Sequence, residues 1–281
     1  MNKWILGARP RTLPAAIAPV VVATALAGSD WNWFRAALAL KVGVWLQVGV
    51  NYANDYSDGV KGSDDNRIGP TRLVASGLAT AAQVKRAAFI SFGIASIAGI
   101  WLSLLSSPWL IVVGVAAIAA AWGYTGGKNP YGYKGLGEMS VFIFFGVVAT
   151  MGSYYVQTLE VNWVAFAASV PMGSLSCALL AINNIRDRQQ DEIVGKRTLA
   201  VRLGDRGSRV FFVLLLASAY IFAALTGNIW VLLTLATLPM ALLISKEVLA
   251  GAAGRQLIPL LGKTGKLQLF FAITFAIALA L

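Results

Sequence analysis

The sequence predicts an all-α membrane protein: a bundle of about nine transmembrane helices, two four-helix halves plus a ninth, in one domain spanning residues 1–281. Three observations carry that expectation. Of the 281 residues 58% are apolar and 12% charged, with mean hydropathy +0.70, whereas a soluble domain carries about 25% charged residues. Apolar stretches long enough to cross ~30 Å of hydrocarbon recur along the chain. One spacing of Asn, Asp and Gly also occurs twice, 133 residues apart.

The apolar stretches lie near residues 12–28, 36–54, 82–105, 108–124, 138–158, 162–182, 209–226, 229–245 and 266–281. They are continuous runs without the alternation of a transmembrane barrel. The first lacks a small-residue cleavage site after a short apolar core, so it reads as a retained helix. The connections alternate in charge. Segments 1–11, 55–86, 125–137, 183–209 and 246–266 hold 21 of the 23 Lys and Arg residues. By the positive-inside rule those segments face the cytoplasm of a cell (inner) membrane, with the N-terminus inside and the C-terminus outside. Arg35 and Lys41 are the exceptions, read as snorkelling side chains at the outer end of the second span.

The net charge of +11 then answers to topology and anionic membrane lipid, with no nucleic-acid partner. The chain has no histidine and one cysteine, Cys177, inside an apolar stretch. That excludes an intramolecular disulfide, zinc and iron–sulfur centres, and imidazole acid–base chemistry. A metal here is a hard cation held by oxygen.

Ten of the twelve carboxylates share the predicted cytoplasmic side, and seven fall into two clusters, residues 51–65 and 183–197. Asn51, Asn54, Asp58 and Gly62 superpose on Asn184, Asp187, Asp191 and Gly195, the pattern N-x2-[N/D]-x3-D-x3-G. Within each cluster the second and third positions are four apart and share one helix face. Each lies at a helix C-terminus, where the dipole disfavours negative charge. Two such faces opposed across a bundle offer oxygens to Mg²⁺, with Lys61, Arg67, Arg72, Lys128, Arg186, Lys196 and Arg197 flanking them. Carboxylates with Lys and Arg suggest a Mg²⁺–diphosphate site. A secondary transporter is the alternative from another class, but transporters bind at the bilayer midplane, and these acids sit at span ends.

At these residues the chain resembles the UbiA superfamily of intramembrane prenyltransferases. The first superfamily motif, NDxxDxxxD, matches at Asn54, Asp55 and Asp58; its last Asp falls on Gly62, and Asp64 is the substitute. Arg72 to Gly77, RLVASG, is similar to RPLASG, and the second motif, DxxxD, is Asp187 and Asp191. Tyr124 and Lys128 keep the Tyr–Lys spacing of YPxxKR, with Thr125 and Asn129 in place of its proline and arginine. The run from Tyr124 to Glu138 and the ARPRTLPA start resemble the naphthoate-prenylating branch.

The resemblance implies transfer of a long chain from polyprenyl diphosphate to 1,4-dihydroxy-2-naphthoate, releasing diphosphate and CO₂. Other acceptors within the superfamily (4-hydroxybenzoate, haem, chlorophyll or a glyceryl lipid) stay open as alternatives. It implies Mg²⁺ on Asn54, Asp55, Asp58, Asp64, Asp187 and Asp191. Asp55, Asp58, Asp187, Asp191 and Lys128 become the catalytic set. Lys61, Arg67, Arg72, Lys128, Arg186, Lys196, Arg197 and Tyr124 contact the diphosphate and prenyl chain. Tyr52, Tyr56 and Tyr124 are candidates to shelter an allyl cation. Prenyl length, the proton acceptor and oligomeric state are left open.

Overall fold

The computed structural model describes residues 2–62 and 71–281, and among them there is no strand. Seven helical segments are long and apolar enough to cross a membrane: α3 (Trp33–Val60), α4 (Ala81–Leu105), Gly137–Thr158, α8 (Trp163–Ile193), α9 (Leu199–Ala224), Ile229–Leu249 and Gly254–Ala280. Two more apolar helices are shorter, α2 (Pro14–Leu26) and α5 (Trp109–Gly123), at 13 and 15 residues. All nine fall on the predicted stretches. Their ends differ because hydropathy locates a helix's apolar middle, whereas capping sets where it stops. Asn32, Thr80 and Asn162 cap the N-termini of α3, α4 and α8 with side-chain oxygens.

The two tightest helix pairs are α3–α4 and α8–α9, each made by a helix that ends in an acidic cluster and its successor. α8 is almost wholly buried at the centre, with Ala168, Met172, Leu175 and Ile182 fully enclosed. The C-terminal α11 (Leu257–Ala280) packs on α2 and α8 and closes the ring. Large apolar side chains such as Ile97, Leu104, Leu214 and Leu242 face outward, as a lipid solvent requires.

Small residues let the helices approach. A Cβ on Gly146 would lie 2.6 Å from the Cα of Gly173 on α8. Gly146 lies in a π-helical stretch, Phe142–Val148, joining α6 (Gly137–Val141) to α7 (Ala149–Thr158). The wider turn puts the consecutive Phe144 and Phe145 on the wall of one internal cavity.

Arg35 is anchored at two helix ends. Its guanidinium donates to the carbonyls of Leu105 (3.0 Å) and Val156 (2.9 Å), tying the ends of α4 and α7. A helix C-terminus leaves carbonyls without partners, and a cation there satisfies them.

The length of α3 and α8 positions the site. At 28 and 31 residues they rise about 42 and 46 Å, well beyond ~30 Å of hydrocarbon. The C-terminal turns of both helices carry the acidic clusters.

Candidate active site

Both acidic helices stop in the same way. The Lys61 N–H donates to Ser57 C=O and the Gly62 N–H to Gly59 C=O; 133 residues later, Val194 donates to Gln190 and Gly195 to Glu192. Gly62 and Gly195 both adopt positive φ, 68° and 77°. The repeated glycine thus ends a helix in a left-handed turn that other residues enter at a cost.

On α3, Asp58 is buried, and its Oδ1 accepts from the Tyr133 hydroxyl at 2.5 Å and from Lys196 Nζ at 3.3 Å. Asn54 Oδ1 accepts from Thr125 Oγ1 (2.8 Å), and Lys61 Nζ donates to the Thr125 carbonyl (2.6 Å). Burial pushes the Lys61 ammonium below the ordinary lysine range; Asp58 opposes that shift and Lys196 adds to it. On α8, Arg186 donates bidentately to Asp187 (2.7 and 2.8 Å), and Asp191 Oδ2 accepts from Thr198 (3.5 Å).

The loop after α5 bridges the clusters. Thr125 and Tyr133 reach α3, while the Tyr133 carbonyl accepts from the Arg197 N–H (2.8 Å) beyond α8. Gly132 turns back so that its N–H meets the Tyr124 carbonyl, and a Cβ there would lie 2.6 Å from that oxygen. Lys196 completes the brace: its backbone bonds Asp191 and its ammonium reaches Asp58.

Beneath this assembly lies a cavity of about 760 Å³. Its polar end is lined by Arg9, Arg11, Asn51, Asn54, Arg72, Tyr124 and Tyr131; its depth is lined by Val20, Leu102, Val113, Phe144, Phe145 and Val156. Burial and the Glu138 carboxylate raise the Tyr124 pKa, so its hydroxyl stays protonated.

The predicted residues thus divide. Asn54, Arg72 and Tyr124 line the cavity. Asp58, Lys196 and Asp191 are linked to one another, Lys61 joins the same loop through Thr125, and Arg186 and Asp187 pair with each other on α8. Arg197 and Lys128 are exposed at the rim, and Lys128 makes no side-chain bond among the described residues. Asp55 is fully buried, and its two oxygens accept from the N–H groups of Leu73 (2.8 Å) and Val74 (3.1 Å). Tyr52 gives its hydroxyl to the Trp4 carbonyl, and Tyr56 stacks on Trp122, so neither lines the cavity. Asp64 and Arg67 lie outside the described residues.

Sequence reasoning passed over Thr125, Tyr131, Tyr133, Arg9 and Arg11. All five stood in runs read for their likeness alone, and the arginines also counted as topology signals.

Among the described residues, no three acidic, cysteine or histidine side chains converge into a preformed metal cage. The donors fit a hard cation all the same. They are carboxylate and amide oxygens on two facing helix ends, as suits Mg²⁺ shared between a few protein oxygens, water and phosphate.

A family model described as the UbiA prenyltransferase family matches residues 16–256. The chain is 50% identical to a 1,4-dihydroxy-2-naphthoate octaprenyltransferase of Mycobacterium tuberculosis, over 99% of this chain and 97% of that one. It is 35% identical to the enzyme of that name from Escherichia coli, over 99% and 95%. In structure it is similar to a UbiA homolog from Aeropyrum pernix, with TM-score 0.75 at 14% identity, covering 95% and 97% of the two chains. A UbiA homolog from Archaeoglobus fulgidus bound to GPP and Mg²⁺ gives TM-score 0.68 at 13% identity, over 99% of each. The chain belongs to the UbiA prenyltransferase family.

Proposed function

We propose that this protein joins a polyprenyl diphosphate to 1,4-dihydroxy-2-naphthoate, releasing diphosphate and CO₂ and forming a demethylmenaquinol, the reduced form of demethylmenaquinone. The observation that carries the reading is one cavity with a basic, tyrosine-lined polar end under two acidic helix ends and an apolar depth inside the bundle. That gradient matches a substrate with a charged head and a long hydrocarbon tail. The full-length relatives that carry the naphthoate name support the choice of acceptor.

In this reading all nine apolar helices cross a cell membrane, with the acidic ends and N-terminus cytoplasmic and the C-terminus outside. Asn54, Asp58, Asp187 and Asp191 would hold Mg²⁺, and the Archaeoglobus homolog bound to GPP and Mg²⁺ supports the choice of ion. When bound, the ion supplies positive charge to the leaving diphosphate. Lys61, Arg72 and Lys196 surround the same group, while Lys128 and Arg197 meet it at the rim. Asp55 acts one step removed, clamping the turn that carries Arg72. As the carbon–oxygen bond to diphosphate breaks, the faces of Tyr124 and Tyr131 stabilise the allyl cation. Arg9 and Arg11 lie on the same wall and supply charge for the acceptor carboxylate. The enclosing bundle keeps water from the cation.

The test supplies carboxyl-labelled dihydroxynaphthoate and a prenyl diphosphate to purified protein. Label leaves as CO₂ in step with prenylated quinol, in a reaction that EDTA stops and Mg²⁺ restores. Label retained in the lipid product, or prenylation of 4-hydroxybenzoate alone, overturns the acceptor assignment.

A further inference from the structure

Tyr133 stands at the crossing of the two halves. Its hydroxyl bonds Asp58 Oδ1 at 2.5 Å, and its ring carries two ammonium groups, Lys196 Nζ at 4.4 Å and Lys61 Nζ at 5.0 Å from the centroid. Lys196 Nζ also contacts that Asp58 oxygen, at 3.3 Å, with both side chains largely buried. One carboxylate oxygen therefore takes two donors, one of them cationic, and the tyrosine ring holds both lysines beside it.

We propose that Lys196 and Tyr133 form an internal counter-ion for Asp58, which masks this oxygen from metal in the empty site and passes to the diphosphate when metal and diphosphate arrive together. The inference rests on reading the cluster as a Mg²⁺–diphosphate site.

Three features argue for it. Asp58 and Lys196 belong to different repeats and meet across the bundle, so their contact depends on the closed arrangement of the acidic ends. Lys196 follows the left-handed Gly195, and its backbone N–H is fixed on Asp191 at 2.7 Å; its ammonium can pivot without moving α8. Two lysines share one aromatic ring beside Asp58, so both ammonium groups stand where an arriving diphosphate can take them up. A cation bound to Asp58 displaces Lys196, and the released ammonium is already within reach of the incoming phosphate oxygens. Metal alone must break the Lys196–Asp58 pair without that return, so it binds poorly. Metal with diphosphate regains the pair's charge complementarity.

The test titrates Mg²⁺ alone, then inorganic pyrophosphate at saturating Mg²⁺, into purified protein by calorimetry. Lys196→Gln should raise affinity for Mg²⁺ alone and lower affinity for pyrophosphate, each by about tenfold, the scale of outer-shell partners at metal sites. Lys196→Arg, which keeps the charge, should restore both towards the parent protein. Tyr133→Phe keeps the ring over the lysines but removes the hydroxyl, so it should strengthen Mg²⁺ binding a few-fold with little change for pyrophosphate. That variant carries the test if Lys196→Gln does not fold. Affinities that fall together, or an unchanged Mg²⁺ affinity in both Lys196→Gln and Tyr133→Phe, overturn the counter-ion. If the parent protein binds no pyrophosphate with Mg²⁺, the diphosphate reading itself fails and the inference falls with it.

Discussion

The ends of α3 and α8 share a backbone and differ in what surrounds it. Each is closed by the same two hydrogen bonds and a glycine at positive φ, at positions related by 133 residues. Around that common frame the side chains have diverged. Asp58 takes partners from elsewhere in the chain, Tyr133 and Lys196, while Asp187 accepts from the adjacent Arg186 and Asp191 from Thr198, seven residues on. Asn51 fastens the N-terminal segment through Ala8 C=O (2.9 Å) and Thr12 (3.0 Å); its counterpart Asn184 donates to the buried Glu138 carboxylate (2.7 Å). The repeat preserves where an acidic group stands. The second layer of contacts decides what each group can do there.

The sharpest way to break this comparison is to neutralise equivalent acids. Asp58→Asn and Asp191→Asn should each lower turnover on the order of 10²–10³-fold, the scale for removing one member of a preorganised charge site. Asp187→Asn should differ in kind. It leaves the Arg186 guanidinium, whose side chain is wholly buried, without its carboxylate, a change that costs about 3–5 kcal/mol of stability. Thermal melts in detergent beside prenyl-transfer rates separate the cases. Equal melting points for the Asp191 and Asp187 variants would show that the Arg186–Asp187 pair is not what stabilises its helix end.

Much of this was legible because it depends on composition and spacing. Apolar length locates seven helices long enough to cross a membrane and two shorter ones among the described residues, and the i, i+4 spacing with a terminal glycine marks two helix ends from residue types alone. The roles of Asp55 and Arg35 were not legible, because each is fixed by a partner distant in sequence. Asp55 sits inside the most acid-rich motif, yet its oxygens serve two backbone N–H groups 18 and 19 residues on. Arg35 bonds carbonyls 70 and 121 residues away. Tyr133 looked like one aromatic among several, and only the fold brings the two lysines onto its ring.

Asp55 and Arg188 also occupy equivalent places in the repeat, and their contrast sharpens the comparison at a smaller scale. Asp55→Ala leaves the Leu73 and Val74 N–H groups without acceptors in a buried turn, costing about 2–3 kcal/mol. Arg188 only approaches the half-exposed Asp205, at 3.9 Å, and Arg188→Ala should cost under about 1 kcal/mol. Melting points of the two variants in one detergent check this. A melt unchanged by Asp55→Ala would return Asp55 to the set of metal-ligand candidates.

The mildest change addresses the shared frame itself. Gly195→Ala places a Cβ at φ 77°, where steric space is open, with nothing within 4 Å of it. Its cost is therefore conformational, about 1 kcal/mol. Gly62→Ala, at φ 68°, should cost a similar amount for the same reason. The two sites lie in separate helix ends that share no backbone hydrogen bond among the described residues, so the double variant should lose the sum of the single losses within about 0.5 kcal/mol. Asn tolerates the left-handed region better than Ala, so Gly195→Asn should recover part of the loss. Its recovery would tie the loss to backbone angle, not to the absence of a small side chain. Chemical denaturation in mixed micelles reads these differences through a common midpoint shift. A double-variant loss much larger than the sum would mean that the two helix ends fold as one unit, coupled through Lys196 and Tyr133, and the halves could then no longer be treated as independent frames.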